Sequence, residues 1–142
     1  MKLESGPVRV LVVEDNYLVA MDIMSIVRDH GGMVVGHATT GSRAIHLALQ
    51  HKPDVVLMDI RLDGSVDGIS AASTIRRVQD TPIVFVTGQG DAVTMTRVAE
   101  FGAPILIKPI DPEALQTAIV QAAGSPELRR NFPSASNKLS PR

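Results

Sequence analysis

The sequence predicts an α/β fold: a doubly wound, five-stranded parallel sheet of order 2-1-3-4-5, with helices on both faces. Three observations lead there. Short apolar, β-branched runs recur along the 142 residues at roughly twenty-residue spacing, each followed by a helix-patterned segment. The runs do not alternate with polar residues, so both of their faces are buried, as in a parallel sheet covered by two helical layers. Right-handed crossovers then leave few strand orders, of which 2-1-3-4-5 is one of the common pair.

The elements follow in order. "VRVLVVED" is a short β-branched run ending on an acidic pair. Between Asn16 and His30 the apolar residues Leu18, Met21, Ile26 and Val27 recur at helical spacing, and Gly31-Gly32 is a stop signal. "MVVGHA" is a second strand, weakened by Gly36. "SRAIHLALQH" is a helix with Ser42 as its N-cap and Ala44, Leu47 and Ala48 on one face. Pro53 and Asp54 break it, and "VVLMD" is the third strand. The loop through Gly68 leads to the helix "ISAASTIRRV". Pro82 opens the fourth strand, "TPIVFVTG", where a missing N–H is tolerated. "DAVTMTRVAEFG" is helical by position, but its Val and Thr residues lose rotamer freedom in a helix, so it is expected to be the least firmly held. "PILIKP" is the fifth strand. The last helix, "DPEALQTAIVQAAG", has Asp111 as N-cap, Pro112 at its first position and Gly124 at its end.

Residues 1–7 are expected to form a leader, 8–123 one domain and 124–142 a flexible, Pro- and Ser-rich tail. That tail is too short for a helix-turn-helix unit. A net charge of -1 supplies no basic face for direct nucleic-acid binding. Aromatic residues are only 3% of the chain, which argues against a platform for stacking bases. The absence of cysteine excludes disulfides and thiolate zinc sites. No apolar run approaches the ~20 residues of a membrane span, and "MKLESGPVRV" lacks the apolar core of a secretory signal. The expected setting is cytoplasmic, with no membrane insertion.

Strand tips carry the chemistry. In an open parallel sheet, ligands bind beyond the carboxyl ends of the strands, where the strand order reverses. Glu14 and Asp15 follow the first strand, Asp59 the third, Thr87 the fourth and Lys108-Pro109 the fifth. Three converging carboxylates repel one another, and a divalent cation relieves that conflict. An all-oxygen donor set suits Mg²⁺, or Mn²⁺ as the alternative, over Zn²⁺. With Lys108 and the Thr87 hydroxyl alongside, the group is suited to stabilising a phosphoryl group, with Asp59 as nucleophile forming an acyl phosphate. The remaining polar and soft residues suggest no second site. His30, His37, His46 and His51 share no metal-binding spacing and are expected at the surface or in loops. Met21, Met24, Met33, Met58 and Met95 are expected to fill core gaps. Arg76-Arg77 and Arg129-Arg130 are expected to be solvated, and Asp63-Gly64 and Asp67-Gly68 to form turns.

The motifs "VLVVEDN", "VVLMDI", "VFVTG" and "LIKPID", in this order, resemble those of the response-regulator receiver domains of two-component signalling (CheY-like, with a flavodoxin-like three-layer fold). The resemblance covers about residues 8–123. It implies that Asp59 accepts a phosphoryl group from the phosphohistidine of a sensor histidine kinase. It further implies that Asp15 and Asp59 ligate Mg²⁺ with the backbone carbonyl of Arg61, and that Glu14 acts through water. Thr87 and Lys108 would bind phosphoryl oxygens, and the Lys108-Pro109 bond would be cis. Ile105 stands where the family usually has an aromatic residue, and the loop after Asp59, "IRLDGSVDG", is a residue longer than common. "PIVFVTGQG" is similar to the "PFxFATGY" signature of a single-domain subgroup, with Val86 and Gln89 in place of its Ala and Tyr. Arg61 and Gln89 are expected to tune the lifetime of the acyl phosphate.

The implied function is a single-domain phosphoacceptor, not a turnover enzyme. It would signal by altered binding to a downstream protein, or drain a shared kinase as a phosphate sink. Two alternatives remain. A haloacid-dehalogenase-type phosphohydrolase would need Asp-x-Asp after the first strand, where this chain has Glu14-Asp15-Asn16; two residues past Asp59 stands Arg61. A receiver-like binding module that is never phosphorylated would be compatible with Ile105.

Overall fold

The computed structural model describes residues 1–3, 6–88 and 90–124. An antiparallel ribbon of β1 (Lys2–Leu3) and β2 (Gly6–Pro7) comes first. It leads into β3 (Arg9–Val13), α1 (Tyr17–Asp29), β4 (Met33–Ala38), α2 (Gly41–His51), β5 (Val55–Asp59), α3 (Gly68–Val78), β6 (Ile83–Thr87), α4 (Ala92–Phe101), β7 (Ile105–Ile107) and α5 (Pro112–Gly124). The five long strands form one parallel sheet of order β4-β3-β5-β6-β7, which is the expected 2-1-3-4-5.

Burial follows position in the sheet. β5 and β6 are buried at every residue, as is β3 apart from half-buried Arg9, whereas the edge strands β4 and β7 are only partly covered. One apolar cluster joins Leu11, Val56, Met58 and Phe85 to α2, α3 and Val98 of α4. The other joins Val10, Val12, Leu57 and Val84 to α1 and α5. The pairing of β3 with β4 slips one residue where Val10–Val34 gives way to Leu11–Gly36, so Gly36 marks an irregularity in the second strand. α4 buries only Val98, the least of any helix here.

Several local expectations need correction. The buried stripe of α1 is Ala20, Ile23, Ile26 and Val27, while Leu18 and Met21 face solvent. Helical spacing is satisfied by more than one face, and the sheet selects the one carrying Ile23. α2 is capped by Thr40, whose hydroxyl accepts from the Arg43 N–H, rather than by Ser42. Of the methionines, Met58 is fully buried, Met24 packs on the edge of the second cluster, and Met21 and Met33 are exposed. Arg76 is not simply solvated: its guanidinium stacks 3.9 Å over the Phe101 ring and donates to the Phe101 carbonyl. Phe101 in turn meets buried Phe85 edge-on at 5.1 Å.

Asp67 and Asp63 do more than turn the chain. Asp67 is the N-cap of α3 and pairs with Arg97 of α4 at 2.9 Å, and Asp63 bridges to Thr40. Within residues 1–7, Met1 and Leu3 pack against the second cluster, and the Met1 ammonium donates to the His30 carbonyl at 2.8 Å. The tail after Gly124, including Arg129-Arg130, lies outside the described residues, as does Gln89.

Candidate functional site

The site lies at the carboxyl edge of the sheet, where β3, β5, β6 and β7 run out. β3 delivers Glu14, and the next residues turn into α1, which Asn16 caps by accepting from the Val19 N–H. β5 ends on Asp59. The backbone there is held by neighbours on both sides: Ile60 N–H donates to the Val86 carbonyl, and Gly68 N–H donates to the Ile60 carbonyl. Any Cβ at Gly68 would collide with the Asp59 carbonyl oxygen, so this close approach requires glycine. β6 ends on Thr87, whose carbonyl accepts from Lys108 N–H at 2.8 Å and ties the fourth strand to the fifth. The Lys108-Pro109 bond is cis, as expected.

These residues line one open cleft of about 690 Å³, whose walls include Glu14, Asp15, Asn16, Asp59, Arg61, Thr87 and Lys108. Glu14, Asp59 and Thr87 are buried, at 1%, 5% and 1% exposure, whereas Asp15 is half-buried. Those figures decide the electrostatics, because carboxylates at such depth need compensating charge. Lys108 supplies part of it. Its Nζ lies 2.6 Å from Glu14 Oε1 and 3.2 Å from Asp59 Oδ2. Both contacts are ion pairs, and the Asp59 contact is also a hydrogen bond. Glu14 Oε2 accepts from the Asn16 N–H at 3.1 Å.

The titration of the cluster follows from these contacts. Burial pushes Asp59 up and neighbouring Glu14 pushes it further; Lys108 only partly offsets them, leaving the carboxyl at about 7. Burial also works against ionised Glu14, but the Lys108 ammonium and the Asn16 N–H outweigh it and hold that carboxyl below its usual range. Asp15 is raised by burial, by Glu14 and by Asp63. For Lys108, the pull of Glu14 and Asp59 exceeds the opposing effect of burial, so its ammonium is held more firmly than usual.

Three carboxylate oxygens, one each from Glu14, Asp15 and Asp59, lie within 4.8 Å of one another. They suit a hard divalent cation: the donors are all oxygen, and one ammonium leaves the three acids undercompensated. Glu14, Asp15, Asp59, Thr87 and Lys108, the polar strand-tip residues singled out in the sequence, all line this cleft.

Residues 10–120 match the response regulator receiver domain family. The chain belongs to the response-regulator receiver family. It is 40% identical over 114 residues to the transcriptional regulatory protein PdtaR of Mycobacterium tuberculosis, covering 80% of this chain and 55% of PdtaR. It is 30% identical over 114 residues to the phyllosphere-induced regulator PhyR of Methylorubrum extorquens, covering 80% of this chain and 42% of PhyR. The chain thus spans about half the length of these curated relatives. Among solved receiver structures, that of a modulated diguanylate cyclase from Desulfovibrio desulfuricans G20 superposes with a TM-score of 0.81 at 30% identity, covering 86% of this chain and 98% of that one. The receiver domain of the sensor histidine kinase PA1611 from Pseudomonas aeruginosa PAO1, described with a magnesium ion in its active-site cleft, gives 0.75 at 28% identity over 84% and 100%. No helix among the described residues is long and apolar enough to cross a membrane.

Some features of the receiver site were not anticipated. Arg61 turns its side chain toward Asp91, the N-cap of α4, at 3.7 Å, with both groups well exposed. Half-buried His37, expected at the surface or in a loop, lies in β4 and contacts the Glu14 carbonyl. Its signal in the sequence was a polar side chain near the tip of the strand beside the first. Ile105 is partly buried and packs against the first apolar cluster next to Phe85, its partner in the β6–β7 ladder.

Proposed function

We propose that this receiver domain is a metal-dependent phosphoacceptor that takes a phosphoryl group onto Asp59 from the phosphohistidine of a sensor histidine kinase. The observation that carries the reading is the position of Asp59: buried at a strand tip, between a pair of acids and the Lys108 ammonium. A carboxylate oxygen of Asp59 forms the new O–P bond as the P–N bond of the donor breaks; the imidazole departs with the bonding pair and takes a proton from solvent. Lys108 faces the oxygen side of the reacting group, and Thr87 offers a hydroxyl from the adjacent strand. Glu14, Asp15, Asp59 and the Arg61 carbonyl would hold Mg²⁺, or Mn²⁺ in its place. Bound there, the cation would neutralise phosphoryl oxygens as the transferring group develops charge. Water returns the acyl phosphate to Asp59 and inorganic phosphate.

The output follows as a change in which protein the domain binds, or as a sink that drains a shared kinase, in a cytoplasmic setting without direct nucleic-acid contact. Incubation with Mg²⁺ and a small acyl phosphate, followed by intact-mass measurement, tests the reading. A single phosphoryl adduct lost in Asp59→Asn supports it. Repeated turnover of phosphate esters would point instead to a hydrolase, and no adduct at all to a binding module.

A further inference from the structure

The edge strand β4 holds the backbone of Glu14 from two directions. Glu14 N–H donates to the Ala38 carbonyl at 2.9 Å, the last backbone bond of that edge. One residue earlier on β4, the His37 ring places Nε2 2.8 Å from the Glu14 carbonyl oxygen. A carbonyl can only accept, so Nε2 carries the hydrogen and donates. The residues are 23 positions apart, and the contact is partly shielded from water.

The β3–β4 ladder ends at Val13–Ala38, so Glu14 is the point where the chain leaves the sheet and turns into α1. Its own side chain is then committed to Lys108 and to the Asn16 N–H. Rotation of the Glu14–Asp15 peptide would therefore move both acids of the pair relative to Asp59. We propose that His37 is a positioning residue for the phosphoacceptor centre: by donating to the Glu14 carbonyl it fixes that peptide, and with it the acid pair that faces the metal. His37 itself touches no reacting atom. The inference rests on the proposed metal-dependent reading of the site. It assigns the edge strand, so far only a flank of the sheet, a part in setting metal affinity. Partners beyond the first ligands commonly change affinity by tenfold or more.

The test uses the full chain and two variants. His37→Ala removes the donor, and His37→Gln restores an N–H at a similar distance from the backbone. Mg²⁺ titration by calorimetry is expected to show about tenfold weaker binding in the Ala variant and recovery in the Gln variant. Without metal, the Asn16 amide resonance, which reports its bond to Glu14 Oε2, is expected to move in His37→Ala and return in His37→Gln. Equal Mg²⁺ affinities for Ala and Gln variants, or an Asn16 signal unmoved in both, would overturn the positioning role even if thermal stability fell. If the unmodified chain takes up no Mg²⁺ while Asn16 still follows the donor, the clamp stands and the metal-dependent reading fails.

Discussion

Lys108 places its ammonium 3.2 Å from Asp59 Oδ2, joining residues 49 positions apart at the tips of two strands separated by β6. The same ammonium faces Glu14. One cation is thus shared between two buried acids, an arrangement that leaves the centre short of positive charge and ready for more.

Stability should depend on pH through Asp59. Folded Asp59 holds its proton up to about 7, against roughly 4 in the unfolded chain. Over that interval the folded state binds more protons than the unfolded one, so metal-free stability falls as pH rises from about 4 to about 7 and then levels. Asp59→Asn should remove this component and be more stable than the parent chain above pH 7, by on the order of 2–4 kcal/mol. Denaturant unfolding of both proteins at pH 5 and pH 8 checks the difference; equal pH profiles would contradict it.

Metal affinity should carry the same signature with opposite consequence. Protons compete for Asp59, so Mg²⁺ should bind more weakly at pH 5.5 than at pH 8, by up to about tenfold per pH unit below 7. Calorimetric titrations in buffers of different ionisation enthalpy would also count the protons released.

Lys108→Ala should leave Glu14 buried without its cation, a loss of about 3 kcal/mol or more. Mg²⁺ should still bind and recover part of that loss. The variant should also show a weaker structural response to phosphorylation. Thermal unfolding with and without Mg²⁺, and amide spectra after acyl-phosphate treatment, measure the two effects separately.

On the face of the sheet that carries α2 and α3, α4 buries one residue and is tied down by polar side chains as well. Arg76 stacks on Phe101, Arg97 pairs with Asp67, and Val98 is the helix's single buried residue. Arg76→Ala should cost about 1–2 kcal/mol and speed amide exchange in α4 more than in α3. Arg76→Lys should recover little, because an ammonium neither stacks flat nor presents the guanidinium fork.

Much of this protein was legible because strand tips are readable. An apolar β-branched run that stops on Asp59 locates the end of β5 and the direction of its last side chain; four such ends, placed in the 2-1-3-4-5 order, assemble the site. Helical rotation was less legible. Leu18 and Met21 fit the α1 period as well as Ala20 and Ile23 do, and only the sheet distinguishes the two faces. Thr40 and Ser42 are both good capping residues two positions apart, and the choice of Thr40 places Gly41 where its lack of a Cβ lets Val66 pack closely. The links made by Arg76, Arg97 and His37 join segments distant in sequence through long polar side chains, for which no periodicity exists to be read.

In the proposed function a carboxylate oxygen of Asp59 is the phosphoryl acceptor of a metal-dependent centre. Its most direct test is peptide mapping after treatment with a small acyl phosphate, run once with Mg²⁺ and once with a chelator. One phosphoryl group is expected on the peptide containing Asp59, present with Mg²⁺ and strongly reduced without it. A label on another residue, or the same label on Asp59 with the metal removed, would contradict it.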